Sequence, residues 1–366
     1  MFANAFRDKK VWVSGHTGFK GAWLTCWLLS LNAKVHGFSL EPPTVPSLFT
    51  QLELQKDIDH EIADVRDPVA VRESIKRARP DFVFHLAAQS LVRQSYSQPL
   101  ETFATNVMGT AHVLEALRPL ETPCTAIFVT TDKCYENREC DYAYREEDPL
   151  GGYDPYSSSK AATEIVIQSY RRSFFQNHPV KVASARAGNV IGGGDWAQDR
   201  IVPDCIRALQ KKQPIEVRNK LSTRPWQHVL DPLSGYLWLG ARISKTNGNG
   251  DSPLCSAFNF GPLPEANRAV HELVQEVLKH WPGQWTDKSN PDAMHEATFL
   301  QLSIDKARSL LDWSPAWSFP DAVANTVTWY RESGHTSPKE LRELTQKQLR
   351  EYCRQASQLG LPWGMA

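Results

Sequence analysis

Gly15-His16-Thr17-Gly18-Phe19-Lys20-Gly21 follows the apolar run Val11-Trp12-Val13 and precedes Ala22-Trp23-Leu24-Thr25-Cys26-Trp27-Leu28-Leu29. The order is strand, glycine turn, helix, and the helix reads as buried on one face. A helix N-terminus placed this way aims free N–H groups and the positive end of the helix dipole at an anion such as a pyrophosphate. The spacing G-x-x-G-x-x-G is a variant of the dinucleotide-binding fingerprint. Gly15 permits the sharp turn, Gly18 lets phosphates approach the backbone, and Gly21 lets the helix pack closely on the sheet. An ordinary glycine-rich βα turn would look the same, so the rest of the chain has to decide.

Outward from this turn, strands and helices keep alternating. Lys34–Leu40 reads as a second strand, ended by the turn Glu41-Pro42-Pro43. A helix around 69–79 leads to a strand over 81–88 with a small-residue exit, and 106–117 reads as a helix. A buried strand over 125–131, a helix over 156–175 and a strand over 181–186 follow. This repetition predicts an α/β fold: a doubly wound parallel Rossmann sheet with its ligand at the carboxyl ends of the strands. Past Gly192-Gly193-Gly194 the regularity fades into loops rich in Pro, Trp and Arg. The expected organisation is a Rossmann domain over 1–192, a smaller C-terminal α/β substrate-binding lobe over 193–335 with some segments returning to the first domain, and a charged helical tail over 336–366.

Composition bounds the function. The chain has 366 residues, of which 41 are lysine or arginine and 41 aspartate or glutamate, so no net field draws in nucleic acid or an acidic membrane. No apolar run approaches the ~20 residues of a membrane span, and the first residues lack the apolar core of a signal peptide. Seven cysteines without a C-x-x-C pair suggest neither a disulfide framework nor a zinc site. A cytoplasmic protein with reduced thiols is expected, with no metal.

Four features converge on chemistry. Leu86-Ala87-Ala88-Gln89 puts small residues at a strand end, where a flat cofactor must lie close to the backbone. A second strand ends at Thr130-Thr131-Asp132-Lys133. Tyr156 and Lys160 are four apart at the start of a helix, so both point to one face. Arg186-Ala187-Gly188-Asn189-Val190-Ile191-Gly192 closes the sheet. A phenol, with an ordinary pKa near ~10, is a poor base at neutral pH. A neighbouring ammonium and a positive nicotinamide ring would both favour phenolate, which could then take a hydroxyl proton as hydride leaves the same carbon. Thr131 would hold that hydroxyl in line. Y-x-x-x-K alone is common by chance; its weight here comes from the order in which it follows the other features.

These stretches resemble the extended short-chain dehydrogenase/reductases, the family of nucleotide-sugar epimerases and dehydratases. Pro43-Thr44-Val45-Pro46-Ser47-Leu48-Phe49, Gly151-Gly152-Tyr153-Asp154-Pro155-Tyr156, Gly192-Gly193-Gly194-Asp195-Trp196 and Arg224-Pro225-Trp226-Gln227-His228-Val229 extend the similarity over about the first 330 residues. The resemblance implies a catalytic triad of Thr131, Tyr156 and Lys160 and an internal redox reaction on CDP-glucose. Hydride leaves C4 of the glucosyl unit for NAD, the resulting ketone acidifies C5–H, the C6 hydroxyl leaves as water, and hydride returns to C6. The corresponding pair in related dTDP-glucose dehydratases is Asp-Glu, acid toward the C6 hydroxyl and base at C5. Here Asp132 keeps the acid, while Lys133 stands where the base would be. Either Lys133 is itself the base, or it pairs with Asp132 and another group or water takes the C5 proton.

For the cofactor, the resemblance and the motifs together select Gly15, His16, Thr17, Gly18, Phe19, Gly21, Ser39, Asp64, Val65, Leu86, Ala87, Ala88, Gln89, Tyr156 and Lys160. Ser39 stands where an acid often holds the adenosine ribose diol, with Glu41 two residues on. No arginine follows to pair a 2′-phosphate, which favours NAD over NADP. Asp64 matches the adenine-contacting position, and a solvated loop acid would look alike. The substrate set is Gln89, Asn189, Asp195, Arg200, Arg224 and Gln227; the Arg224 fork suits a diphosphate. His16 and His228 read as packing residues. The competing readings are a nucleotide-sugar 4-epimerase, which needs no acid at C6, and a non-catalytic dinucleotide-binding regulator, which should have lost Tyr156 or Lys160. The resemblance implies that the helices over 106–117 and 156–175 pair into a four-helix dimer interface, and Ala162, Ile165, Val166 and Ser169-Tyr170 exceed what one sheet contact would use, so a homodimer or homotetramer is expected.

Overall fold

The apolar, β-branched runs become seven parallel strands: β1 Lys10–Ser14, β2 Lys34–Ser39, β3 Asp59–Ile62, β4 Phe82–His85, β5 Cys124–Val129, β6 Val180–Ala187 and β7 Ala257–Phe260. The computed structural model describes residues 1–246, 250, 252–289 and 299–365. Strand order is β3-β2-β1-β4-β5-β6-β7, reversing direction between β1 and β4. That reversal opens a crevice beyond the carboxyl ends of the two strands, the usual ligand position in such sheets.

Alternation along each strand assigns the two faces. Val11, Val13, Phe84, Ile127 and Ala183 join one apolar cluster with helices α1 (Phe19–Ser30) and, further along, the Leu230–Ser244 helix. Trp12, Val83, Ala126, Phe128 and Val182 join the other with α2 (Pro68–Ala78), α3 (Gly109–Leu117) and α4 (Pro155–Phe174). Asp67 caps α2 and Asp154 caps α4 by accepting from first-turn amides, with proline at the first helical position of each.

Four differences from the sequence expectation have physical reasons. Helix α1 is buried continuously from Gly21 to Leu28, not on one face, because the chain's end covers its outer side. There Trp27 meets Phe2, Tyr352 and Trp363. The fourth strand stops at His85, and 86–90 is irregular. Edge strand β3 is too polar (Asp-His-Glu-Ile) to be read as a strand. Past residue 193, α5 (Ile201–Gln210) comes before α6 (Leu230–Ser244), and α6 and β7 complete the sheet, β7 pairing in parallel with β6.

The remaining C-terminal elements are short. Thr223–Pro225 pairs with Asn267–Ala269, Ile215–Val217 with Trp285–Asp287, and α7 (Val270–His280) and α8 (Phe319–Glu332) lie beside them. The charged tail is helix α9 (Pro338–Gln358), opened by a Ser337/Glu340 capping box. It buries Leu341, Leu349, Tyr352 and Ala356, and Tyr352 Oη donates to the buried carboxylate of Asp231 on α6 at 2.7 Å. Among the described residues no helix is long and apolar enough to cross a membrane.

Candidate active site

The glycine turn fits a pyrophosphate. Gly15 has φ +75°, and a Cβ there would stand 2.8 Å from the Ala87 backbone nitrogen; at Gly21 it would stand 2.1 Å from the Gly15 carbonyl oxygen. At Gly18 the same atom would meet only that carbonyl, at 3.4 Å, so the turn is open on this side. Gly18 caps α1 with no side-chain acceptor for the first amides, which leaves them for an anion. Phe19 is the first residue of α1. Ser14 Oγ ties the β1 end to Leu86 and Ala87 by accepting from their amides at 3.1 and 3.2 Å. Ala88 and Gln89 continue this irregular exit. The cradle therefore fits a dinucleotide.

At the position expected to meet the adenosine ribose, Ser39 Oγ lies 2.8 Å from Thr17 Oγ1, which donates to the Leu40 carbonyl at 2.9 Å. His16 is fully buried among Gly37, Phe49 and His60, and burial lowers its pKa to about 3. It is a neutral packing residue. Asp64 is held by Arg66, whose Nε donates at 2.8 Å, and Arg66 also reaches Glu101. Sequence spacing does not show that pairing. Val65 is buried beneath Gly109, and its carbonyl accepts from His112.

Thr131, at the exit of β5, donates to Asp132 Oδ1 at 2.9 Å and lies against the Tyr156 phenol. Asp132 is 1% exposed, and its Oδ2 has no partner. Burial raises its pKa above the ordinary carboxylate value, against the fields of Lys133, Arg224 and Lys20. A Cβ at Gly188 would stand 2.7 Å from that Oδ2, so a side chain in the turn after β6 would displace the carboxyl. Lys133 is half-buried, its amide donating to Thr131 Oγ1 at 3.3 Å.

The phenol departs from expectation. Burial, with help from Asp132 and Asp154, raises the Tyr156 pKa to about 12, while Thr131 and Arg200 act the other way. Arg200 is a cation acting on the phenol. Lys160 itself is lowered to about 8 by burial, with Glu164 opposing. Desolvation outweighs the favourable charges at these two buried positions.

At the positions expected to meet the substrate, Arg200 donates to Asp195 at 3.0 Å and reaches Ser90. Arg224 is buried, donates to the Thr223 carbonyl and acts electrostatically on Asp132. Gln227 gives its amide nitrogen to the Phe260 carbonyl, while its buried Oε1 has no partner. Asn189 is half-buried at the β6 exit. Gln89 turns into its own loop, its side chain bonding Leu91 and Thr102. His228 packs against Trp23 and Trp317, and burial lowers its pKa to about 3.

Three residues in this region escape motif reading. Lys20 Nζ donates to Tyr236 Oη at 3.2 Å, and burial with Arg200 lowers its pKa to about 7. Its place as a spacer before Gly21 suggests only a backbone role. Asn106, in a π-helical stretch over Ala104–Met108, bonds the Gln89 backbone and donates to Ser159 Oγ at 2.8 Å, joining the β4 exit to α4. Glu164 lies one turn beyond Lys160 and bonds three residues of β6 and the β5 exit.

Sheet order, glycine turn and the Thr131–Tyr156–Lys160 grouping define a dinucleotide-binding enzyme of the short-chain dehydrogenase/reductase type. The family model described as GDP-mannose 4,6 dehydratase matches residues 12–326. The chain belongs to that family. It is 45% identical to the CDP-glucose 4,6-dehydratase of Salmonella typhimurium over 336 residues, covering 90% of this chain and 92% of the relative. It is 27% identical to the CDP-paratose 2-epimerase of Salmonella typhi, covering 87% and 98%. Among solved structures, the dTDP-glucose 4,6-dehydratase of Streptomyces venezuelae, determined with NAD bound, superposes with a TM-score of 0.75 at 22% identity. That match covers 88% of this chain and 97% of the other.

Proposed function

We infer that this chain is an NAD-dependent CDP-glucose 4,6-dehydratase, a lyase forming CDP-4-dehydro-6-deoxy-D-glucose and water. The 45% identity to a CDP-glucose 4,6-dehydratase supports the substrate. The observation that favours dehydration over epimerisation is the buried Asp132 carboxyl, with one oxygen held by Thr131 and the other unpartnered. A 4-epimerase has no use for an acid there.

Bound NAD would supply the hydride acceptor for C4, the hydride donor for C6 and a positive ring. The turn at Gly15, Gly18 and Gly21 would hold its diphosphate, and the Thr17–Ser39 pair would line its adenosine ribose. Thr131 orients the C4 hydroxyl, and Tyr156 Oη takes its proton. With a resting pKa of about 12, the phenol needs added positive charge to work as a base near neutrality. The Asp132 carboxyl, whose hold on a proton burial strengthens, gives its proton to the departing C6 hydroxyl. Lys133 is placed beside Asp132 to remove the C5 proton or to orient the acid. Arg200, Arg224, Asn189, Asp195 and Gln227 would line the nucleotide diphosphate and sugar. A cytoplasmic homodimer or homotetramer acting in deoxysugar biosynthesis completes the reading.

The test is to incubate the purified protein in parallel with CDP-, dTDP-, GDP- and UDP-glucose and to follow the near-ultraviolet absorbance of a 4-keto sugar in base. Turnover of CDP-glucose alone is expected. Release of CDP-galactose without keto sugar would show an epimerase, and preference for another base would refute the substrate.

A further inference from the structure

A buried acid network lies directly beneath the catalytic helix, and none of its members has a part in the chemistry above. Glu164 sits on α4 one turn after Lys160, on the same face. Its Oε1 accepts from Thr130 Oγ1 at 2.5 Å, and its Oε2 accepts from Ser184 Oγ at 2.8 Å and from Arg186 Nη2 at 2.9 Å. Arg186 continues to Tyr135 Oη at 2.8 Å and to the Glu146 carbonyl at 3.0 Å. Thr130 immediately precedes Thr131. One carboxylate thus joins the helix carrying Tyr156 and Lys160 to the strand end carrying Thr131.

We propose that Glu164 is a positioning residue for the dehydratase reaction, holding Lys160 as an ammonium and fixing the Thr131 strand end against α4.

The role rests on the reading of Lys160 as a catalytic cation. The groups acting on Lys160, or acted on by it, come from four elements: Glu164 on α4, Cys134 in the turn after β5, His85 at the end of β4 and Lys20 on α1. Burial keeps the Cys134 thiol protonated and lowers His85 to about 3, so both are uncharged near neutrality. Lys20 opposes a second positive charge. Glu164 is the anion in this set, held ionised by Arg186, Thr130 and Ser184 against its own burial. Arg171 also feels its field. Without Glu164, burial would drive Lys160 toward the neutral amine.

The fold needs the Glu164–Arg186 pair as well, since removing one partner leaves a buried uncompensated charge. The test separates the two roles. The kcat–pH profile of the wild type with CDP-glucose is measured first; absence of turnover there refutes the proposed function, not the role of Glu164. Glu164→Gln is expected to lower Tm, reduce kcat at least tenfold, and move the alkaline limb of kcat about one pH unit toward acid, with KM little changed. Because that variant could fail to fold, Glu164→Gln/Arg186→Met removes both charges and is expected to regain most of the lost Tm. The anion acting on Lys160 is absent from the double variant too, so the displaced limb should persist there. Glu164→Asp, which keeps the charge one methylene further away, should fall between. Recovery of the wild-type limb and kcat together with Tm in the double variant, or an unmoved limb in an active Glu164→Gln, would overturn the proposal.

Discussion

Replacing Asp132 by Asn changes one atom of a carboxyl that is fully enclosed. Oδ1 can keep accepting from Thr131, so geometry around the triad is preserved. The lost oxygen, Oδ2, has no protein partner, and only 1% of the residue is exposed, so bulk water cannot easily stand in as the acid. Positioned general acids contribute ~10²–10⁴ in rate. With a hydroxide leaving group and no water to substitute, the upper part of that range applies, ~10³–10⁴ in kcat or about 4–5 kcal/mol of barrier. Stability moves little. The folded-state pKa of Asp132 is raised, so the stability this group contributes is present below its unfolded pKa of about 3.9 and is lost as pH rises through the folded value. The amide carries no ionisation cost; its new buried N–H costs ~1–3 kcal/mol in the other direction if unpaired. A Tm within several degrees of wild type is expected. The assay is a rapid-quench time course with CDP-glucose, separating 4-keto-glucose from 4-keto-6-deoxyglucose and following NADH absorbance. Accumulation of CDP-4-keto-glucose with NADH, and water loss slowed ~10³-fold or more, is expected. Retention of more than a tenth of wild-type kcat would refute the acid assignment.

Tyr156→Phe should fold and bind NAD yet lose ~10²–10⁴ or more in turnover, because the phenol lying against Thr131 is the group that takes the C4 hydroxyl proton; a tenth of wild-type turnover in the purified variant would contradict this. Lys133→Met in D₂O, followed by deuterium incorporation at C5 alongside NADH formation, decides the C5 base. Loss of exchange with C4 oxidation retained assigns the base to Lys133, and undiminished exchange removes it. Light scattering at micromolar protein should give at least a dimeric mass: Leu100 (85% exposed), Met108 and Ile165 (55%) lie outward on the segments leading into α3 and along α4. A monomer would exclude that interface.

The sheet was legible because its strands are apolar runs and its turns carry glycine or proline at the needed places. Val11-Trp12-Val13, Phe82–His85 and Cys124–Val129 announce themselves. Asp59-His60-Glu61-Ile62 does not, because an edge strand with one exposed side has no apolar requirement along its length. Strand β7 and helix α6 were hidden for another reason. They lie beyond a break in the βα rhythm, and nothing local in Ala257-Phe258-Asn259-Phe260 says that it pairs with β6. Burial of α1 on all sides depends on Tyr352 and Trp363, more than three hundred residues away, which no periodicity within Phe19–Ser30 can report.

The site divides the same way. Spacing brings Tyr156 and Lys160 to one helical face, and strand ends bring Thr131 and Asp132 beside them, so residue types and order were enough to assemble the group. Its charge states were not legible, because they depend on how much water each group loses. The spacing argument makes Lys160 the neighbour that turns the phenol into a base. In the folded chain, desolvation raises the phenol to about 12 and lowers the ammonium to about 8, each moving away from the ionised pair that the argument requires. Two buried groups that each lose solvation cannot both be made charged by their mutual attraction unless other charges support them. For the phenol that support comes from Arg200, five residues beyond Asp195; for the ammonium it comes from Glu164, one turn along the same helix. The catalytic motif therefore needs an anion below it and a cation across from it, supplied by residues whose spacing alone gives no sign of the role.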